Sequence, residues 1–158
     1  MLFPKRYLPK MLSKKDKAKQ KRELQKSKAL YKKGKYHSRK KMKSFKSKKS
    51  SHVTNAQVMY GVDKIKASPD LAKKTKCTLK TLKRIMKKGQ GAYFSSGSRP
   101  NQTAHSWGRA RLASAITGGK ASAVDYKLLK AGCKKTSKAL KLAEKSLKKY
   151  KYGTRRVP

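Results

Sequence analysis

Residues 68–89 read SPDLAKKTKCTLKTLKRIMKKG, and their reading sets the fold class. Ser68 is an N-cap type, Pro69 fits the first helical position, and Asp70 suits the positive end of a helix. Leu79, Leu82, Ile85 and Met86 then repeat at helical spacing, which makes one apolar face. Gly89 is the natural stop. The stretch predicts a single helix over 68–89, and its neighbours read alike. Val58, Val62 and Ile65 predict a helix over 53–67, weakened by Gly61. Another helix begins near Gln102 or Thr103 and runs to Gly118-Gly119. Ser122, with Asp125 three residues on, starts a short helix through Leu128 and Leu129 that ends at Gly132. A last helix over 137–151 carries Leu140, Ala143, Leu147 and Tyr150 on one face and Lys138, Lys141, Lys145, Lys148 and Lys149 on the other. No segment alternates long enough for a strand. The expected fold is mostly α, with a small helical core over about residues 53–150.

Residues 1–52 read differently. They hold 21 Lys or Arg against Asp16 and Glu23. Ser13-Lys14-Lys15-Asp16 resembles a capping box with Asp in place of Glu, so a helix is expected from 14 to 33, stopped at Gly34. Its stripe (Ala18, Leu24, Leu30, Tyr31) is thin, and like charges four apart weaken it. KYHSRKKMKSFKSKKSS (35–51) has no usable period. The expectation is a long basic N-terminal arm (1–52), partly helical or disordered. A helical domain (53–152) with a Gly/Ser/Arg loop at 89–101 and a tail (153–158) would follow.

Six acids face 47 Lys and Arg in 158 residues, a formal net charge of +41. Such a chain repels itself and needs an external polyanion. Leu, Ile, Val and Phe total 25 residues, roughly 16%, below the ~20% that with high charge marks disorder. Binding a polyanion removes the repulsion and favours order by mass action. Nucleic acid is the leading candidate, since phosphate neutralisation releases condensed counterions. A protein or capsid surface comes second and an anionic membrane third. No run is apolar enough to span a bilayer, and MLFPKRYLPKML lacks the h-region of a signal peptide. Cys77 and Cys133 have no CxxC partner, so both are expected as small buried thiols in a reducing compartment.

The window 89–119, GQGAYFSSGSRPNQTAHSWGRARLASAITGG, contains no lysine and no acid. Its only charges are Arg99, Arg109 and Arg111, and it holds the sole tryptophan, Trp107. Arginine where lysine serves elsewhere implies geometry, because a guanidinium grips phosphate bidentately. Glycines at 89, 91 and 97 allow close backbone approach, and Ser96 and Ser98 offer hydroxyls. One reading is a phosphate-binding loop completed by Arg109 and Arg111. The other is a structural loop packed under Trp107, its arginines capping carbonyls. Tyr93, Phe94 and Trp107 are candidates for core packing or base stacking. Small residues at 108, 110 and 113–115 suit close helix packing. The charge candidates are Lys14, Lys15, Lys40, Lys41, Lys48 and Lys49. Tyr7, Tyr31, Tyr36, Phe45, Tyr150 and Tyr152 lie among cations, as suits a nucleic-acid backbone with occasional stacking.

PKRYLPKMLSKKDKAKQ, SFKSKKSSHV and GAYFSSGSRPNQTAHSWGRARLASAITGGKASAVD together resemble an uncharacterised domain of short basic proteins in large nucleocytoplasmic DNA viruses, algal viruses among them. Looser relatives occur in large tailed phages. The resemblance implies a viral product packaged in the virion, and supplies no catalytic residues.

No GxxxxGK[ST] phosphate loop is present. Asp63, Asp70 and Asp125 are scattered, without the pairing that metal-assisted catalysis needs. His105 lacks partners at ligand spacing; Asp125 and Cys133 are the nearest ligand types. The reading is therefore no enzyme, no cofactor, no metal and no small-molecule substrate. The expected function is sequence-independent binding and compaction of a packaged viral genome, with duplex DNA the first expectation. The alternative is a minor capsid or core-shell protein docked to virion proteins, its basic arms facing genome or inner membrane. Either places it in the virion, and in host cytoplasm or nucleus during infection.

Overall fold

The computed structural model describes residues 3–151, so Tyr152 and the tail at 153–158 lie outside them. Eight α-helices occur among these residues, and no strand longer than an isolated bridge. The helical expectation holds. A break falls at Lys48/Lys49, near the expected residue 52, but Gln90–Trp107 packs with the N-terminal segment in one compact unit, and Lys49–Gly89 form a second with the chain from Gly108 on.

The first unit has α1 (Lys14–Lys32), capped as its sequence implies. The Ser13 hydroxyl accepts from the Asp16 N–H, and Gly34 follows the helix with φ +74°. The buried face of α1 is Gln20, Glu23, Leu24 and Ser27, only one of them apolar. Hydrogen bonds hold this face instead. Gln20 donates to the Tyr7 carbonyl at 3.3 Å and Ser27 to the Phe94 carbonyl at 3.1 Å. A packed helix can therefore carry so thin an apolar stripe. A small cluster of Phe3, Tyr7 and Leu24, flanked by Leu8 and Trp107, supplies the apolar part. Gly97, at φ +111°, fits there because a Cβ would meet Leu24 Cδ2 at 2.7 Å.

Residues 35–48, which show no usable period in the sequence, are held within the unit. Met42 is buried. Asn101, itself at φ +62°, clamps this segment: its Oδ1 accepts from Met42 N–H at 2.6 Å, and its Nδ2 donates to the carbonyls of Met42 at 3.2 Å and Phe45 at 2.7 Å. Asp16 accepts from Ser44 N–H at 2.8 Å and its hydroxyl at 2.6 Å. Those bonds hold the Asp16 carboxyl below its ordinary pKa.

The second unit contains α2 (Ser51–Tyr60), α3 (Pro69–Thr75), the start of α4 (Leu79–Ser95), most of α5 (Ala104–Ile116), α6 (Lys120–Val124), α7 (Tyr126–Gly132) and α8 (Lys138–Tyr150). Its core includes Ile65, Leu71, Leu82, Ile85, Leu112, Ile116 and Leu129. The helix expected over 53–67 ends early, at Gly61 in the left-handed region. The single helix expected over 68–89 is two. Lys76 turns left-handed at φ 59°, and Thr78 caps α4 by accepting from Thr81 N–H at 3.2 Å. At this break Cys77 and Cys133 form a disulfide, which corrects the expectation of free thiols. Flanking backbone bonds run from Thr78 N–H to the Gly132 carbonyl (2.8 Å) and from Lys134 N–H to the Lys76 carbonyl (2.9 Å). Their partner residues lie far apart in sequence, so local spacing gives no sign of the pairing.

Gly89 does not stop α4, which continues to Ser95. It is a packing glycine: a Cβ there would meet the Gly108 Cα at 2.7 Å and the Arg111 Cβ at 2.9 Å. Gly89→Ala is expected to lower the unit's stability by about 1–3 kcal/mol in urea titration; a neutral result would refute the close crossing. The short helix expected from Ser122 is also two, α6 and α7 meeting at Asp125.

Tyr60 donates to the Ile116 carbonyl at 2.5 Å, and burial pushes its pKa up to about 12. The folded state therefore holds this proton more tightly than the unfolded chain does. Stability is intact below about pH 10 and falls as pH rises toward 12. Between those limits the wild type should lose about 2–3 kcal/mol more than Tyr60→Phe. Parallel alkaline denaturation curves for the two proteins check this.

Candidate nucleic-acid interface

Helix α1 turns Lys19, Arg22, Glu23 and Lys26 to one side, because residues three and four apart share a helix face. With Lys40 they line an open groove of about 330 Å³ in the first unit. Glu23 is the groove's one acid. His37 Nε2 meets it at 2.5 Å. Burial raises the Glu23 pKa, but the His37 hydrogen bond and the charges of His37, Lys26 and Lys40 outweigh it, and the net shift is downward. Glu23 thus stays ionised and is engaged by His37. The four cations keep a net positive field, with Arg22, Lys26 and Lys40 exposed. Lys19 donates to the Lys41 carbonyl at 3.5 Å, tying α1 to the segment that supplies Lys40. Such a groove can take a run of phosphates, each meeting a flexible cation.

Arg39, next to Lys40 in the chain, ties its segment to α1 and to Tyr93 of α4. Its guanidinium donates to Ser27 Oγ (3.0 Å), the Tyr93 carbonyl (2.5 Å) and Ser98 Oγ (2.7 Å), and lies 3.8 Å from the Tyr93 ring centroid. Its own N–H donates to the Tyr93 hydroxyl at 3.0 Å. Burial pulls the Arg39 pKa below its ordinary value against the opposing effects of Tyr93, Tyr7 and Glu23, though a guanidinium remains charged. Arg39 is absent from the site candidates named on sequence grounds. A signal for it exists: it is the one arginine in the lysine-rich stretch 35–51. Arg39→Lys keeps the charge but cannot make this fork. It should cost the first unit about 2 kcal/mol or more, read as faster amide exchange over residues 90–107.

The expected phosphate loop divides into separate roles. Residues 89–95 are helical, so the loop is shorter than 89–101. Ser98 is buried, bound to Arg39, and donates to the Arg99 carbonyl at 2.8 Å. Ser96 is exposed. Arg99 is exposed too, and its pKa is lowered by partial burial and by the neighbouring Arg6 cation. Arg111 belongs to the second unit, where it donates to Asp125 from Nε (2.9 Å to Oδ2) and from a terminal nitrogen (2.7 Å to Oδ1). Its fork is taken by a carboxylate, so it does not complete a phosphate site. Arg109 is half-buried in that unit. Tyr93 is core. Trp107 is half-buried, edge-on to Tyr7 with centroids 5.8 Å apart. Phe94 is half-buried against Tyr36 and Tyr93.

Among the charge candidates, Lys14, Lys15, Lys40, Lys41, Lys48 and Lys49 are exposed. Lys49 belongs to the second unit, where it donates to Gln57 at 2.6 Å. The lysine face of α8 is also exposed, while Ala139, Leu140, Ala143 and Ser146 are buried. Among the described residues no three His, Cys, Asp or Glu side chains gather to hold a metal. Cys133 is spent on its disulfide and Asp125 on Arg111 and Lys88.

One protein-family model matches residues 4–135, that of a family of unknown function, DUF5824. The chain belongs to that family. No curated protein and no solved structure matches it. The DUF5824 span includes the α1 groove, the Arg39 network and both cysteines, and it ends before the lysine face of α8. No helix among the described residues of this DUF5824 protein is long and apolar enough to cross a membrane.

Proposed function

We propose that this DUF5824 protein is a non-enzymatic, sequence-independent nucleic-acid-binding protein that neutralises and compacts a packaged viral genome. The observation that carries the reading is the α1 groove, where Lys19, Arg22, Lys26 and Lys40 surround a single acid already engaged by His37. The overall charge of +41 supports it, because six acids leave nearly all of the positive charge to an outside polyanion. The virion setting rests on the resemblance of the GAYFSSGSRPNQ block to short basic proteins of large DNA viruses.

Affinity for random-sequence duplex DNA should fall by about 10³-fold or more between 50 and 200 mM salt. Changing Lys19, Arg22, Lys26 and Lys40 together to Gln should flatten the log–log salt slope by roughly 0.9 for each phosphate no longer neutralised. Circular dichroism of the variant would verify its fold. A salt-independent affinity, or an unchanged slope in a folded variant, would overturn the proposal. For the virion setting, nuclease treatment of opened particles should release the protein with the genome; retention on emptied shells would favour a capsid role instead.

A further inference from the structure

Beside the groove runs a row of aromatic rings. Tyr93, fully buried under Arg39, meets Phe94 at a centroid distance of 5.0 Å. Phe94 meets Tyr36 at 5.0 Å, and Tyr36 meets Tyr31 at 6.1 Å. The row thus passes from core to surface, ending at Tyr36, 73% exposed, and Tyr31, 39% exposed. Its outer end is held in place. The Lys35 N–H donates to the Leu30 carbonyl at 2.9 Å on one side of Tyr36, and His37 meets Glu23 on the other. Ser27 fixes the Phe94 backbone. Glu23, Ser27 and Tyr31 are successive turns of one α1 face, so α1 contributes both to the cationic groove and, through Tyr31, to the outer end of the aromatic row.

An exposed tyrosine held from both sides gains little for the fold by lying on the surface. What it offers is a flat, preset π-face in the unit that carries the groove, joined to the groove's acid through His37, the next residue in the chain. We infer that the first unit binds single-stranded polynucleotide, with phosphates along Lys19, Arg22, Lys26 and Lys40 and bases stacked on Tyr36 and Tyr31. A duplex keeps its base faces covered, so it can use the cations but not the rings. This inference rests on the nucleic-acid reading above and narrows it to a strand form. The setting argues against a membrane or an apolar protein partner as occupant: the neighbours at 32, 33 and 35 are exposed lysines, and among the described residues no extended apolar surface adjoins the rings.

The test compares the full chain with Tyr36→Ala and Tyr36→Phe, by anisotropy with labelled oligo-dT of about 12 nucleotides and a random duplex of equal length. Tyr36→Ala should weaken oligo-dT binding about ten-fold or more and leave the duplex unchanged, since one stacked base is lost. Tyr36→Phe should bind as wild type does. Oligo-rU should show the same Tyr36 dependence, because a ring reads the base face and not the sugar. If the wild type binds duplex with a steep salt slope while Tyr36→Ala leaves oligo-dT affinity intact, this inference falls and the nucleic-acid reading stands. Equal losses on both probes overturn it as well. If neither probe binds the wild type, both readings fall.

Discussion

Asp125→Ala should cost the second unit about 3–5 kcal/mol. The Asp125 side chain is wholly buried and accepts two bonds from Arg111, whose side chain is 19% exposed, and one from Lys88 at 3.2 Å, which is 50% exposed. Lys88 can swing into water once the carboxylate is gone. Arg111 cannot, because its stem packs where Gly89 and Gly108 cross. A guanidinium would then stay buried without its counter-charge, which costs more than the pair itself contributes. Asp125→Asn should cost less, since one oxygen acceptor survives. Pairing Asp125→Ala with Arg111→Met should recover much of the loss by removing the stranded charge. Urea unfolding of the three variants gives the comparison. A loss below about 1 kcal/mol for Asp125→Ala would mean that Arg111 finds another partner.

Reducing the Cys77–Cys133 disulfide should have a similar effect. It closes a sequence separation of 56 residues, and in the chain-entropy account a loop of that length is worth about 4 kcal/mol. The bridge fastens the break between α3 and α4 to the turn before α8. There Ser137 also donates to the Thr75 carbonyl at 2.6 Å and caps α8 by accepting from Leu140 N–H at 3.4 Å. Cys77→Ala with Cys133→Ala should therefore lower the urea midpoint markedly, and a reductant should do the same to the wild type only. A midpoint indifferent to reductant would show that the backbone bonds alone hold the junction.

The helices legible in the sequence are those whose caps and apolar faces agree. Ser13 with Asp16, Ser68 with Pro69, and Ser137 with Leu140 are local devices, and each starts a helix near its expected position. Sequence and structure part where a residue serves a distant neighbour. Gly89 has the local marks of a stop and is a crossing point. Asp125 has the marks of an N-terminal helix acid and is the anchor of a buried ion pair. Thr78 is a true cap, masked because the apolar face of 79–86 reads as continuous with Pro69. The candidate site is half legible. Its lysines follow from composition, but the groove depends on α1 turning a polar face inward, and a search for apolar periods discounts such a face. Arg39 follows from the reasoning applied to Arg99: an arginine among lysines implies geometry.

That division between the two cations has a consequence for chemical control of the protein. Arg39 and Arg111 hold the interior, while most lysines of α1 and all those of α8 face water; Lys19 of α1 and Lys88 of α4 are partial exceptions. Acylation neutralises lysine and leaves guanidinium untouched. A lysine-acetylating enzyme or reagent would therefore erase most of the surface charge while sparing the main internal bonds. The protein's surface charge would thus be discharged, and restored on deacylation, without unfolding and refolding the chain.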